Sequence, residues 1–421
     1  MEIYNVITIV VVLSAVFGYI NHRFVKLPGT IGIMIISIIA SLVVVALGSI
    51  SPQFFLKTLD AISLIDFHTI LMKFMLSFLL FAAAIRIDSK RLKSERLSII
   101  TFSTIGVIIS TFAIASLLYV ATSLFGLSVD YIYCLLFGAL ISPTDPVAVL
   151  SILKRAKIPA PLETKINGES LFNDGVGVVL FITFYEIAQI GVDNISIGKI
   201  IWLFIREAGG GVLFGAILGY VGYIGLKTID NYALEVMITL AIVMGGYSLA
   251  ENLHLSGPLA MVVAGLITGN KSLDEVVKDT TRDYIQKFWD MIDKLMNAIL
   301  FLLIGFEMLI VPYNYTLLWL GCITILIVLF GRFISISLLI VLLKYESFAK
   351  NTIPILTWGA LRGGISVALA LSVPKEMYGN MFVSITYIVV LFSIIVQGLT
   401  IGKFAKRLTT PEPIAAPDIN K

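Results

Sequence analysis

The chain has 421 residues, of which 58% are hydrophobic and only 14% charged, with a mean hydropathy of +0.99 and a net charge of +3. A soluble domain carries about 25% charged residues, so this composition cannot cover a water-facing surface, and the small positive surplus does not argue for nucleic acid. Cys134 and Cys322 both fall in apolar stretches, so no disulfide framework is implied.

The remaining reading is an all-α polytopic membrane protein, because successive apolar runs of 18 or more residues are what a hydrocarbon layer about 30 Å thick requires. The opening stretch, "MEIYNVITIVVVL", lacks the basic segment and small-residue cleavage site of a signal peptide, so it reads as a retained first helix. About thirteen transmembrane helices are expected, at 3–20, 31–47, 68–85, 97–125, 132–153, 166–190, 200–226, 233–250, 257–269, 287–310, 317–343, 353–373 and 378–402. Residues 1–408 then form one transmembrane domain. "TPEPIAAPDINK", within a short tail over 409–421, has the composition of disordered chain.

Lysine and arginine in short loops set orientation. With the N-terminus outside, the inner loops collect Arg23 and Lys26, "RIDSKRLKSER", "KRAKIPAPLETK", Lys227, the 270–287 loop, Lys344, Lys350 and the basic residues of the tail. Only Lys57, Lys199 and Lys375 fall in outer loops. This skew puts the N-terminus outside and the C-terminus in the cytoplasm, which demands an odd number of spans.

Polar residues inside the spans carry the functional signal. The sixth span, "KINGESLFNDGVGVVLFITFY", packs Glu169, Ser170, Asn173 and Asp174 into six residues. Ser170, Asn173 and Asp174 are related as i, i+3 and i+4 and share a face, whereas Glu169 and Asp174 diverge by about 140°. One carboxylate is therefore expected to be paired structurally and the other left to react. At ~1.5 Å per residue, Asp174 lies ~13 Å from Lys165 and Asp145 a similar depth from Lys154. Arg332 and Arg362 lie ~18 Å from Lys344 and Lys350 on the same rise. Two acids and two bases from four spans thus converge near the midplane, where an ionisable residue is functional by default.

Two spans also carry helix breakers. In "GALISPTDPVAVLSILK", Pro143 and Pro146 flank Thr144 and Asp145, and proline removes a backbone donor and clashes with the preceding turn. In "WGALRGGISVALAL", Gly359, Gly363 and Gly364 surround Arg362. The fifth and twelfth spans run in opposite senses, and a pair of interrupted helices so related marks an inverted-repeat transporter with its ion site at the breaks.

Together "NGESLFND", "SPTDPVAVL", "FGRF" and "WGALRGGISVALAL" resemble the cation–proton antiporters of the NhaP and NHE type, in the family's order and over nearly the whole chain. The resemblance implies thirteen helices of the NhaA/NapA-like antiporter fold with two crossed interrupted helices. It implies a core that includes 68–190 and 317–402 in part, dimerisation helices that include 3–47 and 200–250 in part, and a homodimer. It implies exchange of Na⁺, or alternatively Li⁺ or K⁺, for H⁺, with no cofactor. Carried over, Asp174 matches the ion- and proton-binding aspartate and Asn173 its partner. Ser170 and Thr144 match oxygen donors to the metal ion, Na⁺, and Asp145 stands beside them. Glu169 matches a structural acid paired with an arginine in the eleventh span, here Arg332, and Arg362 sits at the second break to balance carbonyl ends. One departure stands out. Where many relatives carry an acid in the third span, this chain has Ala82, Ala83 and Ala84.

The implied mechanism is competition. A proton or a desolvated cation can neutralise Asp174, but not both at once, and only the neutralised forms cross a low-dielectric barrier readily. Asn173 in place of a second aspartate implies one cation for one proton, an electroneutral exchange. Simpler roles are expected elsewhere. Gly211, Gly215 and Gly219 form a small-residue stripe for helix packing, and Lys294 pairs with Asp290 one turn away. Lys73, Arg206 and Glu207 serve packing or the interface, and Glu307 lies near the outer mouth. His22, His68 and His254 sit near span ends, too far out for a buried proton relay. The alternatives are a K⁺-selective antiporter or a cation channel without proton coupling. An enzyme is not expected, since "GESLF" lacks the closing glycine of a nucleophile elbow and the chain has no clustered His or Cys ligands. Short loops suggest a bacterial plasma membrane, with lipid and a small cation as the partners.

Overall fold

The computed structural model describes residues 3–48, 66–145, 159–191, 196–269, 279–309, 314–343 and 351–409, with positions 50, 51, 53, 149, 150, 152, 153, 311 and 348 besides. Pro146, Lys154, Lys57, Lys344, Lys350, the 270–278 stretch and residues 410–421 lie outside the described residues.

Among the described residues the chain is helical throughout and follows the expected spans. The helices are α1 (Ile3–Ile20), α2 (Gly29–Gly48), α3 (Phe67–Ile85), α4 (Arg96–Leu124), α5 (Tyr131–Ile141), α6 (Ala160–Ile190), α7 (Gly198–Lys227), α8 (Tyr232–Asn252) and α9 (Gly257–Ile267). They continue as α10 (Asp279–Glu307), α11 (Tyr315–Leu342), α12 (Thr352–Trp358), α13 (Gly364–Leu371) and α14 (Gly379–Leu408). Helices α12 and α13 are the two halves of the interrupted twelfth span. Among the described residues nine helical stretches are long and apolar enough to cross a membrane, and α5 and α9 are shorter apolar helices.

Local chemistry starts several of them. Ser256 accepts from the Leu259 amide, Asn314 from that of Leu317 and Asn231 from those of Ala233 and Leu234, so each satisfies donors that a helix start leaves unpaired. Pro159 and Pro161 open α6, which begins six residues before the expected span; α10 likewise begins eight residues early. Both extensions carry charged residues such as Glu163 and Asp283, so hydropathy underestimates a helix that continues into water.

Two bundles emerge from the packing. Helices α1, α2, α3, α7, α8, α9 and α10 pack mainly with one another, and α4, α5, α6, α11, α12, α13 and α14 form the second group. They meet where α6 crosses α7 and α9, and where α13 touches α3 and α10. The expected glycine stripe binds the first bundle: a Cβ on Gly211 would lie 2.7 Å from the Ser256 carbonyl, and one on Gly215 would strike the Ala260 carbonyl. Close approach of this kind replaces the hydrophobic drive that lipid cannot supply between helices. Outward faces are apolar, as at Leu213 and Ile217 of α7, while Trp202, Tyr315 and Trp319 lie exposed near helix starts, where amphipathic rings suit the membrane interface.

Candidate ion-binding site

The two interrupted spans meet. α5 ends at Ile141, and residues 143–145 leave the helical path before helix resumes at 149–150 and 152–153. α12 ends at Trp358 and α13 starts at Gly364. Between them the Asp145 amide donates to the Leu361 carbonyl at 2.8 Å, so the two unwound segments satisfy one another's backbone. Unpaired backbone at this depth is tolerated only inside protein or along a cavity. Gln397 donates to the Trp358 carbonyl at 2.9 Å and satisfies the end of α12.

Arg362 closes the crossing. Its guanidinium, 1% exposed, donates from Nη1 to the Ser142 and Pro143 carbonyls, each at 3.2 Å, and its amide donates to Ser393 Oγ at 2.9 Å. The positive group thus sits on the carbonyl end of α5, where the helix dipole favours a cation.

α6 passes alongside and brings Glu169, Ser170, Asn173 and Asp174 to the crossing, all buried. Asn173 Nδ2 donates to Thr144 Oγ1 at 2.8 Å, and Thr144 Oγ1 lies 3.2 Å from Ser170 Oγ. These bonds lock the first break onto α6. Asp174, Ser170 and Asp145 line a cavity of about 70 Å³; Thr144 and Asn173 stand behind it in the hydrogen-bonded layer. Asn173 Oδ1 is buried without a hydrogen-bond partner among the described residues. Glu169 faces away from this cavity and pairs with Arg332 at 2.5 Å, both 3% exposed. The divergence of the two carboxylates on one helix therefore separates a paired acid from one that faces a cavity.

Four further polar side chains line the same cavity: Asn167, Asp293, Asn297 and Ser366. Asn167 was legible, because it shares a helical face with Ser170, Leu171 and Asp174 at i, i+3, i+4 and i+7. Asp293 and Asn297 on α10 are four residues apart and so share a face, but nothing in the chain says that this face meets α6. The expected pair of Lys294 with Asp290 is present at 2.5 Å. Arg206 donates to the Leu253 carbonyl at 3.1 Å, a packing role, and His68 Nδ1 lies 2.9 Å from the Ala368 carbonyl, outside the cavity.

At the crossing a side chain on Gly363 has no room. An added Cβ would strike the Asp145 carboxylate and lie 2.6 Å from its Cβ. Gly363→Ala is expected to displace Asp145 and lose most exchange, at a stability cost of about 1–3 kcal/mol typical of overpacking. Gly198→Ala, with nothing within 4 Å, is the neutral control. Thermal melting and transport measured on the same two purified variants check this, and full activity in Gly363→Ala would count against a tight crossing.

The arrangement offers a buried carboxylate, a second carboxylate beside it and hydroxyl and amide oxygens, all at the crossing of two helix breaks. Oxygen donors of this kind suit a hard cation, and the carboxylate suits a proton equally.

Comparison with known proteins agrees with this chemistry. A family profile described as "Sodium/hydrogen exchanger, transmembrane" matches residues 11–407. The Na⁺/H⁺ antiporter NhaP of Pseudomonas aeruginosa is 45% identical over 410 residues, covering 96% of each chain. The Na⁺/H⁺ antiporter NhaH of Halobacillus dabanensis is 35% identical over 347 residues, 81% of this chain and 84% of its own. The solved structure of the sodium proton antiporter MjNhaP1 from Methanocaldococcus jannaschii at pH 8 superposes with a TM-score of 0.75 at 19% identity, covering 97% of this chain and 99% of that one.

Proposed function

This chain belongs to the sodium/hydrogen exchanger family, and on that premise we propose that it exchanges Na⁺ for H⁺ across the membrane, with both ions competing for Asp174. The observation that carries this reading is Asp174 itself, a buried carboxylate that lines a cavity beside Asp145 and Ser170 where two interrupted helices cross. Neither a K⁺-selective exchanger nor a channel gains support from the relatives, which are named as Na⁺/H⁺ antiporters.

Residue roles follow from position. Asp174 takes the proton or the cation, and Ser170 and Asp145 supply further oxygen to the cation. Thr144 and Asn173 hold the first break in register and present the unpartnered Asn173 oxygen nearby. Arg362 neutralises the carbonyl end of α5, and the Glu169–Arg332 pair ties α6 to α11. A bare Asp174 carboxylate carried through a dry barrier costs several kcal/mol, so only the proton-loaded and cation-loaded forms move. That constraint couples the two fluxes.

The cavity is lined by Asp174, Asn167 and Asp293, and Asp293 pairs with Arg86, whose side chain is about a third exposed. On the lysine and arginine skew of the loops we read the Arg86 end as cytoplasmic, and so the conformation as inward-facing with the N-terminus outside. The bundle containing α6 moves against the bundle containing α3 and α10 to reach the other face. A homodimer through the first bundle, in a bacterial plasma membrane, completes the reading; its apolar outward faces on α1 and α7 suit either lipid or a second copy.

Stoichiometry is the finer part of the proposal: one cation for one proton, because Asn173 stands beside Asp174 where a second acid would add a charge. Proteoliposomes containing a pH dye, pulsed with Na⁺, Li⁺ or K⁺ with and without a clamped potential, test it. Cation-dependent alkalinisation of the acid-loaded lumen that ignores the potential is expected. A signal that follows the potential would overturn the 1:1 ratio, and proton movement with no cation dependence would overturn exchange itself.

A further inference from the structure

The walls of the Asp174 cavity come from both bundles, and the two contribute differently. From the second bundle come Asp145, Asn167, Ser170, Asp174 and Ser366. From the first come the side chains of α3, which are Leu76, Leu79, Leu80 and Ala83, and those of α10, which are Asp293, Asn297 and Leu300. Among the described lining residues, the face of α3 is therefore wholly apolar, and Asp293 is the one carboxylate that the first bundle places on the pathway.

Its geometry is ordered. Asp293, Asn297 and Leu300 follow the i, i+4, i+7 spacing of one helical face. Leu300 packs at Gly364, beside the second break, so Asp293 stands seven residues, or ~10 Å, nearer the mouth. Asn297 Nδ2 donates to Asp293 Oδ1 at 2.9 Å, and Arg86 Nη2 meets Asp293 Oδ2 at 2.5 Å. Arg86 is itself fixed by Nε on the Ala82 carbonyl at 2.8 Å and by Nη1 on Asp290 at 2.9 Å. Asp290 does not line the cavity.

Resting on the exchange function above, we propose that Asp293 is a cation-gathering residue for that reaction: a stationary acid at the inner mouth that concentrates the cation for Asp174. Because Asp293 belongs to the bundle that does not carry Asp174, it faces the ion site only while the cavity is open toward Arg86. Its field then acts on cations entering from that side and not on those entering from the other. Arg86 holds the carboxylate against the wall by a shared ion pair, which leaves the acid part of the pathway without making it a second trap. A unit charge lost at ~10 Å across a partly hydrated cavity changes local cation binding by a small factor, so the expected effect is one of apparent affinity rather than turnover.

The test is sidedness. In everted and right-side-out membrane vesicles, Asp293→Asn is expected to raise the apparent KM for Na⁺ about threefold to tenfold at the inner face, with kcat and the outer KM nearly unchanged. Asp293→Glu restores the inner KM. Asp290→Asn, which removes the same charge from the same arginine but from a residue off the cavity wall, leaves it nearly unchanged. Equal KM changes at both faces, a fall in kcat with KM unaltered, or no change at all would overturn the proposal. Misfolding of Asp293→Asn leaves Asp293→Glu and Asp290→Asn to decide it: an inner KM as sensitive to Asp290→Asn as to a shifted Asp293 refutes the assignment. Loss of the underlying function reads differently, as wild-type vesicles without Na⁺-dependent proton movement.

Discussion

Asp174→Asn is expected to abolish exchange while the protein still folds and melts near the wild-type temperature. The amide has nearly the volume of the carboxylate and keeps an oxygen for its neighbours, so packing against the crossing survives. What disappears is the charge that a proton or a cation must neutralise. Asp174 lines the cavity beside a second carboxylate, Asp145, and an asparagine there neither binds a proton near neutral pH nor attracts Na⁺. A loss of only ~2.8 kcal/mol of binding is a factor of about 100, so exchange should fall below about 1% of wild type. Proteoliposome transport with parallel melting measures both halves. Residual exchange of a tenth or more would remove Asp174 from its role.

The second large effect falls on stability. Glu169 and Arg332 form an ion pair at 2.5 Å with both partners 3% exposed, and it joins α6, which carries the site, to α11. Removing one partner leaves a buried charge uncompensated, at a cost of about 3–5 kcal/mol. Glu169→Gln and Arg332→Gln should therefore each lower the melting temperature markedly, whereas the double substitution should recover part of the loss. Exchange per folded molecule should fall far less than in Asp174→Asn. Unchanged melting together with lost transport would instead move Glu169 into the ion pathway.

The contrast between these two acids, five residues apart, shows how much was legible in the chain. Their separation around the helix follows from a 3.6-residue turn, so the expectation of two environments needed no coordinates. The breaks were legible for a similar reason: Pro143 and the glycines around Arg362 act on their own backbone. The 142–145 and 359–363 segments duly leave the helical path. Lengths were less so, since the charged starts of α6 and α10 lower hydropathy without ending the helix.

The cavity wall is a different matter. Asn167 could be read from its face on α6, but Asp293 could not be placed, although its acid is plain in the chain. Read locally, it is one more charge near Asp290 and Lys294 at the inner end of a span. Only the packing of α10 against α13 and α3 turns it toward Asp174. Likewise Thr144, expected as an oxygen donor to the cation, and Asn173, expected as the partner of Asp174, are absent from the cavity lining, with the Asn173 amide donating to the Thr144 hydroxyl.

By itself, then, the sequence determined the membrane class, the spans and their breaks, and the helix face on which Asp174 lies apart from Glu169. These are encoded by hydropathy, charge and backbone chemistry acting within a few residues. Tertiary structure alone decided that the two breaks bond to each other, that Arg362 seats on the Ser142 and Pro143 carbonyls, and that α10 brings a third acid, Asp293, to the cavity wall. In lipid, helices associate through shape and close approach rather than through burial of apolar surface, so which faces meet is a property of the whole bundle and leaves little trace in any one stretch.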